Sequence, residues 1–149
     1  MRKLLIGCLF GFLCDGCNHA APPTVAVTLH GSQFAVELAT DEAAREYGLM
    51  ARSQLAAGHG MLFVFPDNAP RGFWMKNTLI ALDILYFDAD RKLVSAQRDA
   101  PPCQANPCPI YPSQGNAQYV LELPAGSARR IGAVHGDVLG IDGAIGAVR

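Results

Sequence analysis

The chain has 149 residues, with 12 Lys and Arg against 13 Asp and Glu, and half of it is hydrophobic. That length suits one domain with one core rather than two. The near-neutral charge offers no electrostatic footprint for nucleic acid, and no apolar run is long enough to cross a membrane as a helix.

Arg2 and Lys3 open the chain, and an apolar run from Leu4 to Leu13 follows without a charge. A polar break comes at Asp15, Asn18 and His19, before Pro22 and Pro23. This order reads as a secretory signal over residues 1–17, since about ten apolar residues are too few for an anchor helix. A buried N-terminal helix fits less well, because the run is apolar all round and ends in a loop-like stretch. Gly16-Cys17 sets a small residue before a cysteine, as lipoprotein processing requires, although Cys14 and Asp15 are poor company for it. Cleavage after Ala20 is the alternative, and it leaves Asn18 where a small residue is preferred. Cys17 is therefore the expected lipidation site, residues 18–23 a tether, and residues 24–149 a single β-rich domain. The expected address is the periplasm, either free or on a membrane facing it, with lipid at the N-terminus as the sole membrane contact.

Val25, Val27 and Leu29 alternate with smaller or polar residues, as do Phe34, Val36 and Leu38. With Gly31-Ser32 between them they predict a β-hairpin. Thr40-Asp41-Glu42 supplies an N-cap and acids for the first turn of a short helix that stops at Gly48. MLFVFP and GFWMKNT read as two strands separated by turn residues Asp67, Asn68 and Pro70. ALDILYFDAD and KLVSAQRD read as two more around Asp88-Ala89-Asp90, and QYVLELP as another. GSARRIGA suits a turn or two of helix, and the tail from Asp137 alternates as a closing strand. The expected fold is mainly β: an antiparallel β-sandwich or a partly closed barrel with one or two short helices.

Three of the five cysteines lie in the signal region, leaving Cys103 and Cys108 in APPCQANPCPIYP. Its prolines make this a rigid loop rather than a helix or central strand. Two nearby cysteines in an oxidising compartment ordinarily pair, so a structural disulfide is expected. A zinc site would need a second Cys or His pair nearby, and a redox pair more often reads C-x-x-C.

The middle of the chain is unusual. Met50, Met61, Trp74, Met75, Lys76, Asn77, Thr78 and Asp83 crowd a short span. On a strand, Phe73, Met75 and Asn77 share one face, and Trp74, Lys76 and Thr78 the other. A lysine and an asparagine within an apolar stretch need partners if buried, and Asp83 and Arg52 are the candidates.

GLMAR, GMLFVFP, FWMKNTLIALDILYFDAD, PPCQANPC, YVLELPAG and Gly136-Asp137 together resemble the domain-of-unknown-function 192 family, from about Val25 to Leu139. Two positions depart from its pattern: Ala81 stands where proline is usual, and Arg91 where a turn glycine is common. The resemblance implies a compact β-sandwich-like domain, commonly exported, with no established activity.

The leading functional reading is a non-catalytic envelope module that binds a small ligand or another envelope protein as a monomer, without a cofactor or a metal. Arg52, Trp74, Lys76, Asn77, Thr78 and Asp83 would line its site: apolar walls with a few fixed polar groups. The bland reading makes Lys76–Asp83 or Arg52–Asp83 a structural pair closing the sheet. A hydrolase-like enzyme would draw on Asp83, Lys76, His59 and Thr78, but no nucleophile elbow, phosphate loop or HExxH accompanies them. A soft-metal protein would offer Met50, Met61, Met75 and Trp74 to Cu(I), although methionines at strand spacing are more often core filler.

Overall fold

The computed structural model describes residues 23–149. The expected signal at 1–17, with Cys17, lies outside the described residues. Seven strands form one sheet: β1 (Thr24–Leu29), β2 (Ser32–Ala39), β3 (His59–Trp74), β4 (Leu82–Phe87), β5 (Leu93–Ala100), β6 (Ile110–Pro124) and β7 (Gly140–Asp142). Two short helices, α1 (Glu42–Tyr47) and α2 (Ser127–Ile131), pack on it. The strand order is β5-β4-β6-β3-β2-β1-β7. Every pairing is antiparallel except β2 with β3. That parallel pair requires a crossover, and α1 with the loop after it supplies one.

The sheet curls until its two ends meet. Leu93 N donates to Asp137 O at 2.8 Å and Leu139 N to Arg91 O at 2.9 Å, around a Lys92–Val138 bridge just ahead of β7. The mainly β class therefore stands, in its partly closed barrel form: one curled sheet whose seam joins β5 to the approach to β7.

Both faces of the sheet are covered. Val27, Leu29, Val36, Leu62, Leu85, Phe87 and Leu121 form one apolar cluster, with Ala128 of α2 packed into it. Met61, Phe63, Met75, Leu82, Ile84, Tyr86 and Val120 form the second, which Leu49 and Ala39 help to close. The two clusters take alternate residues of β4, so all six of its residues are buried. It reads as a continuous apolar run broken only by Asp83.

Local chemistry explains three departures from expectation. In the first hairpin Leu29 pairs with Ser32, so the two-residue turn is His30-Gly31, one position earlier than expected. Both turn residues have positive φ (47° and 75°), as the twist of a tight hairpin favours. Next, MLFVFP and the first three residues of GFWMKNT belong to one strand of 16 residues, not to two strands and a turn. The pairing of β3 with the 15-residue β6 slips between Val64 and Ala69 and again between Pro70 and Gly72, so Pro66 sits in the first bulge and Pro70 beside the second. Arg71 fastens this stretch, its guanidinium donating to Ala117 O at 3.0 Å and to Asp67 O at 2.5 Å. Finally, β3 ends at Trp74, so the expected alternation through Asn77 and Thr78 fails. Asn77 adopts φ 56°, and the phase slips: Met75 and Thr78 are buried while Trp74, Lys76 and Asn77 face outward.

Candidate functional site

The site is built by α1, the loop leaving it and the end of β3. Asp41 caps α1, its carboxylate accepting from Ala44 N at 2.9 Å. One turn separates Glu42 from Glu46, placing both on one side of the helix. Gly48 then ends the helix with φ 49°, and a Cβ there would come within 3.1 Å of the Phe63 ring. Glycine therefore lets the chain turn tightly against the aromatic floor. The loop is stitched to the turn beyond β3: Ala51 N donates to Asn77 O at 2.9 Å, and Asn77 Nδ2 lies 4.0 Å from Met50 Sδ.

Between these elements runs a groove with two wide bays, of about 540 and 350 Å³. The larger reaches Glu42, Phe65, Asp67 and Arg71; the smaller reaches Tyr47, Met50, Lys76 and Asn77. A hole of about 30 Å³ lies between them, lined by Phe63, Phe73, Thr78 and Glu122 among others. Glu46 and Trp74 border all three spaces. Trp74 is 42% and Tyr47 59% exposed, which is unusual for residues that would each bury a large apolar ring. Lys76 holds its Nζ 5.0 Å from the centroid of the Trp74 ring. Phe73 meets Phe63 edge-on at 4.9 Å and Tyr86 at 5.9 Å. Arg45 and Arg71 both lie over the Phe65 ring, at 5.1 and 4.0 Å.

Glu122 is the chemical centre of the groove, and the sequence reading passed over it. On β6 it faces Met61 and Ile84 across the sheet, is only 4% exposed, and lines the small hole. No described residue hydrogen-bonds its carboxyl. Burial pushes its pKa up to about 8, because no cation offsets the cost of charging it there. The nearest guanidinium on α1 is engaged elsewhere: Arg45 donates to Val64 O at 3.0 Å and to Arg149 O at 2.6 Å. Burial, and then the Glu122 carboxyl, also push the Tyr86 phenol up, and its hydroxyl donates to Tyr111 O at 2.6 Å. The signal was present in YVLELP, an acid set between leucines in an apolar strand.

Of the expected site residues, Trp74, Lys76, Asn77 and Thr78 come together at this groove. Asp83 and Arg52 do not. Asp83 is fully buried on the opposite face, accepting from Asp99 N and Ala128 N, each at 2.8 Å. Those bonds cap α2 and fix a bulge in β5, so Asp83 pairs with neither Lys76 nor Arg52. Arg52 forms a two-pronged ion pair with Glu37 at 2.5 and 2.6 Å, and that hydrogen bond raises its pKa despite the opposing effect of burial. This pair and His59, exposed at the start of β3, border a cavity separate from the groove. The trio Asp83, Lys76 and His59 is therefore not assembled. Met61 and Met75 are buried in the second cluster, whereas Met50 opens on the groove. Among the described residues no three His, Cys, Asp or Glu side chains stand close enough to hold a metal ion. Cys103 and Cys108 are bonded, with Cα atoms 6.0 Å apart. The disulfide loop props the groove from behind: Cys103 N donates to Met75 O at 3.2 Å, next to Lys76.

No curated protein matches the chain. Two crystal structures share its fold. A proposed transcription regulator from Sinorhizobium meliloti 1021 is 38% identical with a TM-score of 0.74, covering 83% of this chain and 98% of its own. A protein of unknown function from Novosphingobium aromaticivorans DSM 12444 is 30% identical with a TM-score of 0.70, covering 81% and 93%. The DUF192 family, described as an uncharacterized ACR, matches residues 25–141, from β1 into β7 and so across every element that frames the groove. The chain belongs to the DUF192 family.

Proposed function

We propose that this domain is an exported, non-catalytic binding module that takes a small organic ligand in the groove between α1 and the end of β3. One observation carries the reading: two exposed aromatic side chains, Trp74 and Tyr47, flank an opening whose floor holds a nearly buried acid with no hydrogen-bond partner among the described residues. A surface needing only to be soluble has no use for either feature, and a core needing only to be packed would hold an apolar residue at position 122. Apolar walls with a few polar groups are what small-molecule sites present. The Cys103–Cys108 bond supports an oxidising compartment, and with it the proposed export through a signal at residues 1–17, with Cys17 as the lipid site. The near-neutral charge gives no support to nucleic acid as a partner.

Trp74 is the chain's one tryptophan, so its fluorescence reads the groove directly. A panel of chemically diverse small molecules should contain members that shift this emission saturably and move the amide resonances of Glu46, Tyr47 and Asn77. Trp74→Ala should weaken those ligands at least about tenfold without unfolding the domain. If binders perturb other residues and spare these, the groove is not the site.

A further inference from the structure

We infer that the groove recognises a primary ammonium group on an alkyl stem, seated in the small hole against Glu122. The inference rests on the binding role just proposed and names the ligand class.

The hole of about 30 Å³ admits one small head group and no ring. Its walls are Phe63, Phe73, Trp74 and the Met50 thioether, and Glu122 is its buried acid. Aromatic faces attract a cation through their quadrupoles, and the attraction grows as water is excluded. Trp74 already accepts one cation, with Lys76 Nζ 5.0 Å from its ring centroid. The carboxyl adds what an ammonium needs most, a charge partner and a hydrogen-bond acceptor in one group. A neutral ligand would leave the carboxyl protonated and forgo the charge pairing that an ammonium makes with the ionised form.

The charged and titratable groups around the hole favour the same class. From α1 come Arg45, Glu46 and Tyr47, and from β4 comes Tyr86; the bordering residues of β3 are uncharged. Arg45 is held by the carbonyls of Val64 and Arg149, and the Tyr86 hydroxyl by Tyr111 O. Glu46 has no hydrogen-bond or ion-pair partner among the described residues and borders the hole, with Glu42 one turn away in the larger bay. Both acids draw a cation toward the opening, and the bays leave room for its alkyl stem.

Seating the ammonium requires Glu122 to ionise, so one proton leaves for solvent when the ligand binds near neutral pH. The probe is n-butylamine, with n-butanol as its uncharged counterpart, titrated against Trp74 emission and by calorimetry from pH 6 to 9. Butylamine affinity should rise about tenfold per pH unit up to about 8, the pKa of the empty site, and then level off. Calorimetry in buffers of different ionisation heat should find about one proton released at pH 6.5. Glu122→Gln should remove both the pH dependence and at least about tenfold of the affinity at pH 8, while keeping the fold.

Butanol binding as tightly as butylamine, or butylamine affinity unchanged by pH or by Glu122→Gln, overturns the ammonium assignment and leaves the groove as a site for another class. Absence of butylamine binding at every pH overturns it too. If the wider panel is then also silent at Trp74, the binding role itself falls with it.

Discussion

Glu122 is where a single residue costs the fold most and offers the site most. A carboxyl with an ordinary pKa of 4.5 in the unfolded chain is raised to about 8 in the native protein. Between those values the native state holds one more proton than the unfolded state, so stability falls as pH rises across the window and levels off above it. The opposite sign applies to Asp67 and Asp137, which Arg71 and the Val134 amide respectively hold below the usual carboxylate range. Stability that depends on those two is lost only in acid. Comparing wild type with Glu122→Gln isolates the buried acid. The two should be about equally stable near pH 4.5, and the variant should lead by on the order of 3 kcal/mol at pH 7. Urea unfolding at a series of pH values measures this. Parallel profiles for the two proteins would show that Glu122 is ionised and solvated at neutral pH, and the ligand argument would lose its charge-free floor.

The two polar residues singled out in the central segment act on different elements and should respond differently. Asp83 joins three of them: it sits in β4, caps α2 through Ala128 N, and holds the bulge of β5 through Asp99 N. Asp83→Ala strands the buried Ala128 N–H and the partly buried Asp99 N–H at once and should cost about 3 kcal/mol. Lys76 lies outward beyond the end of β3, over Trp74, and Lys76→Ala should cost about 1 kcal/mol or less. Chemical denaturation that ranks them the other way would mean the lysine carries a structural pair. In the sequence these residues looked alike, as polar groups interrupting apolar runs. Elements whose cues lie within a few residues were legible: the capped helix stopped by Gly48, the strands on either side of Asp88-Ala89-Asp90, and the disulfide within its proline loop. What escaped depended on distant partners. Turn chemistry in PDNAP suggested a break, but β6 resumes its pairing at Ala69 and Arg71 closes the bulge between. Strand alternation put Thr78 beside Trp74, but the left-handed turn at Asn77 reversed the faces. Glu122 drew no separate reading, because nothing local says that α1 and Gly48 cover that face.

For the whole molecule, the open question of mechanics is where a curled sheet gives way first. β3, β4 and β6 lie side by side near the middle, and their facing residues fill both apolar clusters. The seam is of another kind. Three backbone bonds hold it: Leu93 N to Asp137 O, Gly136 N to Leu93 O, and Leu139 N to Arg91 O. The exposed Val138 stands in its middle, and β7 beside it is three residues long. Opening the seam exposes Leu93 and Leu139 at the edge of one cluster, whereas opening β4 from β6 exposes both clusters. Stability is not uniform across such a structure, and segments with few buried contacts open at lower free energy. The amides of Leu93, Gly136 and Leu139 should therefore exchange with solvent deuterium at least about tenfold faster than those in the Leu85–Leu121 part of the β4–β6 ladder. The groove lies away from the seam, on the face covered by α1, so local opening there should leave Trp74 emission unchanged. Equal protection at the seam and in the central ladder would instead mean that the barrel opens as one cooperative unit, with its closure as strong as its core.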